Sequence, residues 1–554
     1  MQLASGRQRL LLFAVVALLS ALWLIALGAR DLAKTDEGRY AEIPREMVAS
    51  GDWLTPRLDG LKYFEKPALQ YWATAIAYSA FGLSEWSSRL WTGLTALLGV
   101  FVIGLTATRL YGAQCGALAS AVLASSLLYL LMGHVDTLDM GLTFFMTAGL
   151  CATLLARASA DVRATRRLML TAWAAFAAAV LSKGLIGIVL PGAVLVVYLA
   201  ATRDWLLVKR IEALRGPLLF LVIAAPWFVA VSLVNPGFAH FFFIHEHFER
   251  FLTTSHHREG PWWYFVPILA LGILPWLSWL PQALWHGLRE GAVGESRAPF
   301  AAGRLLVIWI AFIFVFFSAS GSKLPSYILP IFPALALLIA RSIEATSTQA
   351  LRLHAAFVAL LAAGVAYLGL QPGSLGEHPG DALLTAASTR FGYSLLAAAA
   401  LWFAGALALA LLARRHATLA PLALALASLA AGLVALTGYS ALDRSASAHY
   451  VATLLAPQID ANTALYSVEM YDQTLPFYLQ RTLTLVNQRD ELDFGLTEEP
   501  GLGISDLASF ASRWAADAHA VAIMPPTTYP KLQALNLPMR VILMDRRFVV
   551  VSKP

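Results

Sequence analysis

Ala68-Leu69-Gln70-Tyr71-Trp72-Ala73-Thr74-Ala75-Ile76-Ala77-Tyr78-Ser79-Ala80-Phe81-Gly82 is the stretch on which the topology of this chain turns. It is apolar enough to enter a bilayer, but its 15 residues fall short of the roughly 20 that a helix needs to cross the hydrocarbon core. If it crosses, every later loop changes side. The other spans read as 9–28, 87–108, 113–132, 139–157, 168–182, 185–201, 216–234, 263–281, 303–319, 326–340, 353–370, 393–412 and 419–440. With 68–82 left out, Arg109, Arg157, Arg163, Arg166, Arg167, Arg203, Lys209, Arg210, Arg215, Arg289, Arg297, Arg304, Arg341, Arg352, Arg414 and Arg415 all fall on the side of Arg7 and Arg9. Cytoplasmic loops collect such residues. The stretch therefore reads as an interfacial helix with Tyr71, Trp72, Tyr78 and Trp86 at headgroup level. About thirteen transmembrane helices follow, an odd number that puts the C-terminal part outside.

Composition agrees with a multi-pass membrane protein. Of 554 residues, 58% are hydrophobic and 13% charged, against about 25% charged in soluble proteins. Cys115 and Cys151 lie inside apolar spans, so they read as core residues and offer no disulfide framework. The first span follows Arg7 and Arg9 but lacks a good small-residue cleavage pattern, and reads as a retained anchor. Residues 1–440 form the membrane domain, with outer loops 29–86 and 235–262, and 441–554 return to soluble composition. Strand-like runs at 464–470, 483–486, 520–524 and 540–551, with helical stretches near 505–517 and 528–535, make this tail a small α/β domain. It has no nucleotide loop or nucleophile elbow, and Tyr471 to Pro476 reads as a structural turn before a ligand contact. No nucleic-acid partner is expected.

Immediately before the interfacial helix lies a charge-dense insert, Thr35-Asp36-Glu37-Gly38-Arg39-Tyr40 running on to Leu61-Lys62-Tyr63-Phe64-Glu65-Lys66-Pro67. Ionisable groups beside a bilayer are expensive and usually functional. Thr35 reads as a helix N-cap with Asp36 and Glu37 in the first turn, and Gly51-Asp52 and Asp59-Gly60 as turns. Asp36 and Glu37 could be no more than first-turn acids, but Asp139 supplies another carboxylate at the outer end of a span, after His134-Val135-Asp136. Asp136 itself reads as a loop residue. Lys66, beside Arg39 and Arg57, suits a lipid phosphate headgroup; simple snorkelling is the plainer alternative.

Two further clusters share the outer face. His240, His245, His247, His256 and His257 fall within eighteen residues, with Glu246, Glu249, Arg250 and Arg258 among them. Imidazole with carboxylate suits zinc or another borderline divalent ion, although no strict zinc spacing is present. Glu65 with His247, His256 or His257 is the expected ligand set, a pH-sensitive polar loop the alternative. In Ser322-Lys323-Leu324-Pro325-Ser326-Tyr327, Lys323 and Tyr327 would project together if the turn is helical, as phosphate donors or as a snorkelling Lys and a belt Tyr. Lys183-Gly184 is a less specific boundary of the same kind.

Asp-Glu-Gly-Arg-Tyr-Ala-Glu-Ile at 36–43, Gly-Asp-Trp-Leu at 51–54 and Gly-Leu-Lys-Tyr-Phe-Glu-Lys-Pro at 60–67 resemble the first external loop of dolichyl-phosphate-mannose protein mannosyltransferase relatives. Ser-Lys-Leu-Pro-Ser-Tyr-Ile-Leu-Pro at 322–330 and Leu-Pro-Phe-Tyr-Leu-Gln-Arg-Thr at 475–482 make the chain most similar to the bacterial lipid A aminoarabinose transferases, over nearly its whole length. The resemblance implies an all-α C-type glycosyltransferase (GT-C) membrane fold, an undecaprenyl phosphate donor and catalysis on the periplasmic side of the inner membrane. The implied product is lipid A carrying 4-amino-4-deoxy-L-arabinose, which blunts polymyxin and other cationic peptides. It also implies that the catalytic acids fall on Asp36 and Asp139 and the lysine before proline on Lys66. Gly38 and Pro44 stand where relatives often have other residues. Together with the residue chemistry, this makes Glu37, Arg39, Lys66, Arg258, Lys323 and Tyr327 the expected substrate contacts. A protein mannosyltransferase with a hydroxyl acceptor is the alternative enzyme. A lipid-linked sugar transporter is the non-enzyme alternative, but it would place polar residues near mid-bilayer, whereas the charges here gather at one face.

Overall fold

The computed structural model describes residues 6–249, 260–290, 300–371, 373, 382–415 and 418–554, with side chains described except at 6–9, 11, 12, 245–249 and 382. The chain divides into two compact units. One comprises residues up to Arg30, Lys66–Gln70 and Arg89–Leu442; the other comprises Asp31–Glu65, Tyr71–Ser88 and Asp443–Pro554.

The first unit is a helical bundle. Among the described residues, nine helices are long and apolar enough to cross a membrane; a tenth is the pair Phe265–Gly272 and Trp276–Arg289, bent by 108°. Three further apolar helices, Phe13–Gly28, Ala113–Ser125 and Ile186–Thr202, are shorter, so nine or ten long apolar helices stand among the described residues where about thirteen transmembrane helices are expected. Their burial is graded. The Pro325–Glu344 span is 89% buried and Leu138–Ala158 78%, whereas Arg215–Val234 is 17% buried and turns Leu218, Leu221, Val222 and Val229 outward. Lipid solvates such apolar side chains, so small residues and polar contacts hold membrane helices together. At Gly116 an added Cβ would meet the Gly104 carbonyl at 2.7 Å, a close approach that only glycine permits.

At one end of this bundle charge is neutralised locally. Arg157 Nε donates to Asp204 Oδ2 at 2.7 Å, and Arg210 caps the Leu138–Ala158 helix by donating to the carbonyls of Ala156, Arg157 and Ser159. A cation there complements the negative end of the helix dipole. Cys115 and Cys151 are buried free thiols.

The second unit contains a hairpin and a mixed sheet. Strands β1 (Arg57–Leu58) and β2 (Leu61–Lys62) pair antiparallel around Asp59-Gly60, whose φ values of 56° and 79° are those of a two-residue type I′ turn. The sheet is built from β3 (Ala464–Val468), β4 (Thr484–Val486), β5 (Gly503–Ile504), β6 (Ala520–Met524), β7 (Arg540–Met544) and β8 (Val549–Ser552), in the order β5-β4-β3-β6-β8-β7. The first four are parallel; β8 runs antiparallel to β6 and β7. Alternate side chains enter opposite cores. Leu465, Val521, Ile523 and Val550 pack with Val451, Leu455 and Phe548, while Tyr466, Val468, Ala522 and Met524 pack with Phe510, Trp514 and Leu532. Each fully buried Val, Leu, Ile, Phe or Met among them contributes about 1.5–3 kcal/mol. The single strand expected over 540–551 is two strands, because the Asp545 carboxylate accepts the Arg547 and Phe548 N–H groups and reverses the chain.

The stretch 68–82 forms the helix Leu69–Phe81, too short to cross. Two of the four aromatic residues expected at headgroup level, Tyr71 and Tyr78, are instead buried. Tyr71 is fully buried, the Tyr78 hydroxyl donates to the Ala41 carbonyl at 3.1 Å, and Trp72 Nε1 donates to the Trp53 carbonyl at 2.7 Å. They pack the helix onto its own unit and leave Ile76 and Phe81 exposed. The helix Asp36–Ser50 runs through Pro44 and closes at Gly51, whose φ of 75° is left-handed. Thr35 precedes it without a side-chain cap bond; Glu37 instead accepts the Ala33 N–H at 2.9 Å. Gly38 has a reason of its own, since a Cβ there would lie 2.5 Å from the backbone at Gln473 and Thr474.

Candidate active site

In the first unit, two helix dipoles bring opposite charges together. Asp139 occupies the first turn of Leu138–Ala158 and Lys183 ends Val162–Lys183, each at the terminus that favours its charge. The two helices pack against each other, and Lys183 donates to Asp139 Oδ1. The Lys183 ammonium also lies 5.2 Å from the Tyr327 ring centre, within cation–π range. An acid, an ammonium and a phenol thus share one boundary.

The loop before Asp139 is buried. His134 points its ring nitrogens at the carbonyls of Leu130 and Trp23, at 2.8 and 3.1 Å, and its own carbonyl accepts from Arg30. Asp136, fully buried, accepts from Gln70 Nε2 at 2.7 Å and from Thr92 Oγ1 at 3.4 Å. It is no ordinary loop residue. Lys66 is half-buried, four positions before Gln70.

Lys323 and Tyr327 do not project together as helical spacing suggested, because Leu324 between them is extended. Lys323 folds back and donates to the carbonyls of Phe317, Ser318 and Ser320 at the end of Ala302–Ala319. Tyr327 packs on Phe317 and faces Lys183, a residue that the sequence ranked below Lys323.

In the second unit, Asp36 and Glu37 separate. The Asp36 side chain is 42% exposed and lies 3.4 Å from Arg39; Glu37 is buried and holds the loop through Ala33. Arg39 is buried too, ion-paired with Glu491, which also accepts from Gln473. The rings of Tyr40 and Tyr63 lie 5.7 and 5.8 Å from its guanidinium. Arg39, expected as a substrate contact, is here buried and holds residues 36–50 to residues 473–491. Its partner lies 452 positions away, beyond any local pattern.

Beneath this lies a buried network. Glu42 takes two 2.6 Å bonds from Arg45, Glu46 accepts the Gly60 N–H at 2.9 Å, and Asp59 accepts the Leu483 N–H at 2.7 Å. Burial pushes the Glu42, Glu46 and Asp59 carboxyls above their usual range, and these hydrogen bonds oppose the shift. A carboxyl with a raised folded pKa holds more protons folded than unfolded, so stability is greatest below the ordinary carboxylate range and falls as pH rises through the folded value. Asparagine in place of Asp59 keeps an acceptor for Leu483 and suits the left-handed turn position. Asp59→Asn is therefore expected to raise the melting temperature at pH 7–8 and to flatten its decline with pH, measured by thermal unfolding from pH 5 to 8.

Of the expected metal ligands, Glu65 is half-buried and near enough to Arg39 and Tyr63 to act on them electrostatically. The side chain of His247, and His256, His257 and Arg258 altogether, lie outside the described residues. Among the described residues, one trio, Asp31, Glu85 and His449, has ligand atoms within 4.8 Å of one another. The His449 ring stacks on Tyr478 and meets Asp31 at 2.9 Å.

Residues 9–242 match the family described as dolichyl-phosphate-mannose-protein mannosyltransferase, and residues 451–553 match the aminoarabinose transferase C-terminal domain. The undecaprenyl phosphate-alpha-4-amino-4-deoxy-L-arabinose arabinosyl transferase of Erwinia tasmaniensis is 31% identical over 515 residues, 89% of each chain. Its namesake in Aeromonas salmonicida is 34% identical over 68% of this chain and 69% of that one. The crystal structures of ArnT from Cupriavidus metallidurans, apo and bound to undecaprenyl phosphate, are 38% identical and superpose with a TM-score of 0.91 over 100% of this chain and 99% of theirs. The bundle of apolar helices, the mixed-sheet C-terminal fold and the acid–ammonium pair thus sit in a multi-pass membrane glycosyltransferase, and the chain belongs to the undecaprenyl phosphate-aminoarabinose arabinosyl transferases.

Proposed function

We propose that this protein transfers 4-amino-4-deoxy-L-arabinose from undecaprenyl phosphate to a phosphate of lipid A, on the periplasmic side of a bacterial inner membrane. Family membership supplies the donor. The structural observation that carries the reading is the Asp139–Lys183 pair beside Tyr327, a carboxylate held ready at a boundary where a charged lipid headgroup would lie. The sorting of basic loops to the opposite side supports the periplasmic assignment.

The reaction joins an acceptor phosphate oxygen to the anomeric carbon while the bond from that carbon to undecaprenyl phosphate breaks, the leaving phosphate keeping the electron pair. A lipid A phosphate is already ionised at neutral pH, so no base is required to activate it. Asp36 and Asp139 stabilise the positive charge that develops on the sugar and recognise its ammonium group. Lys66, Tyr327 and Arg258 hold the leaving phosphate. Lys183, ion-paired with Asp139, orients it, and Lys323 joins the phosphate contacts on release from its carbonyls. The added amine lowers the negative charge of lipid A, which weakens attraction of cationic peptides such as polymyxin.

Purified protein in detergent, given undecaprenyl phosphate-aminoarabinose and lipid A, is expected to yield lipid A heavier by one aminoarabinose in mass spectrometry. No gain of mass with folded protein would overturn the proposal; transfer of mannose from a polyprenyl phosphate to a peptide hydroxyl would replace it.

A further inference from the structure

We infer that Gln70 is a positioning residue for this reaction: its bond to Asp136 sets the segment carrying Lys66 against the loop carrying Asp139. The inference rests on the roles proposed above for Lys66 and Asp139. Gln70 is 1% exposed and Asp136 0%, and the amide donates to Asp136 Oδ1 at 2.7 Å. At 2.7 Å this bond lies at the short end of the N–H···O range. Thr92 Oγ1 reaches the same oxygen at 3.4 Å.

Both ends of this bond are tied to reacting groups by short, stiff tethers. On one side Pro67 lies between Lys66 and Gln70, and Leu69 already begins the helix; proline fixes φ and restricts the residue before it. On the other side Asp136 precedes Thr137, the extended residue from which the Leu138–Ala158 helix starts, with Asp139 in its first turn. The rest of that loop is anchored elsewhere: His134 binds the carbonyls of Leu130 and Trp23 and accepts from Arg30, and the Arg30 carbonyl accepts from Arg89 at 2.8 Å. Those contacts hold the loop to the bundle. The Gln70 amide holds it to the segment that follows Lys66.

The test uses the full chain in detergent and measures kcat, KM for the undecaprenyl phosphate sugar and melting temperature together. Gln70→Leu keeps the bulk of the side chain and deletes the donor; it is expected to lower kcat about 10–100-fold, the scale of a misplacement of about an ångström, with KM changed less than about threefold. Gln70→Glu sets two carboxylates face to face and is expected to do worse. Gln70→Glu combined with Asp136→Asn restores a donor and an acceptor with the direction reversed. That double variant is expected to recover to within about fivefold of wild type, the signature of coupled neighbours. Wild-type kcat in Gln70→Leu, a loss of activity that only tracks the folded fraction, or a double variant no better than the worse single one would each overturn the inference. Wild-type protein without any aminoarabinose transfer would overturn the proposed function beneath it, and the inference with it.

Discussion

Asp36→Asn is expected to reduce transfer about 10²–10³-fold, the usual cost of removing one preorganised electrostatic partner of a transition state, while leaving the fold intact. The geometry separates the two effects. Asp36 is 42% exposed on its side chain and its one ion pair in the described structure, to Arg39 at 3.4 Å, is a loose one. Pairs of that kind contribute about 0–1 kcal/mol. Asparagine keeps the shape and the first-turn position and removes only the charge. A melting temperature close to wild type with turnover lost would assign the charge to the reaction. Turnover retained by Asp36→Asn would end any charge-based role for this residue and leave Asp139 to carry the sugar. Glu37 provides the internal comparison, since it is buried and bonded to Ala33; its replacement by Gln is a perturbation of the loop.

Arg39→Met is expected to fail in the opposite way, through stability. Arg39 and Glu491 are 7% and 13% exposed on their side chains, and truncating one member of a buried pair strands the other charge at a cost of about 3–5 kcal/mol. Glu491 would keep Gln473, but an amide does not replace a guanidinium. The protein is expected to unfold at a markedly lower temperature, and activity to vanish with the folded fraction. Replacing both partners, Arg39→Met with Glu491→Leu, removes the stranded charge and is expected to recover most of the melting temperature. If Arg39 contacted the phosphate of the donor and did little else, Arg39→Met would raise KM and leave the melting temperature unchanged. Thermal unfolding with donor titration distinguishes these outcomes.

The residues whose contacts were legible from local pattern are those whose physics is local. Asp59-Gly60 signals its hairpin because both residues tolerate positive φ. The brevity of 68–82 is matched by a helix of 13 residues, Leu69–Phe81. The apolar spans follow from the cost of leaving backbone groups unsatisfied in lipid, and the short strands of the C-terminal fold follow from alternating or continuous apolar runs. Asp139 was singled out by its place at the end of a span. Where the reading went astray, the deciding partner lay far along the chain. Tyr71 and Tyr78 look like interfacial residues until residues 41 and 477 are seen against Tyr78. Lys323 and Tyr327 look paired by spacing until Leu324 is seen to be extended.

Hydropathy, length and charge, summed along the chain, suffice to read a multi-pass membrane protein with a small α/β tail and to name the boundary acids that are candidates for chemistry. Only the tertiary structure decided that Arg39 is buried on Glu491, that Lys183 is the partner of Asp139, and that Asp136 is held by Gln70. Those pairs join positions 44 to 452 residues apart, and the energy of a buried charge depends on what surrounds it in space.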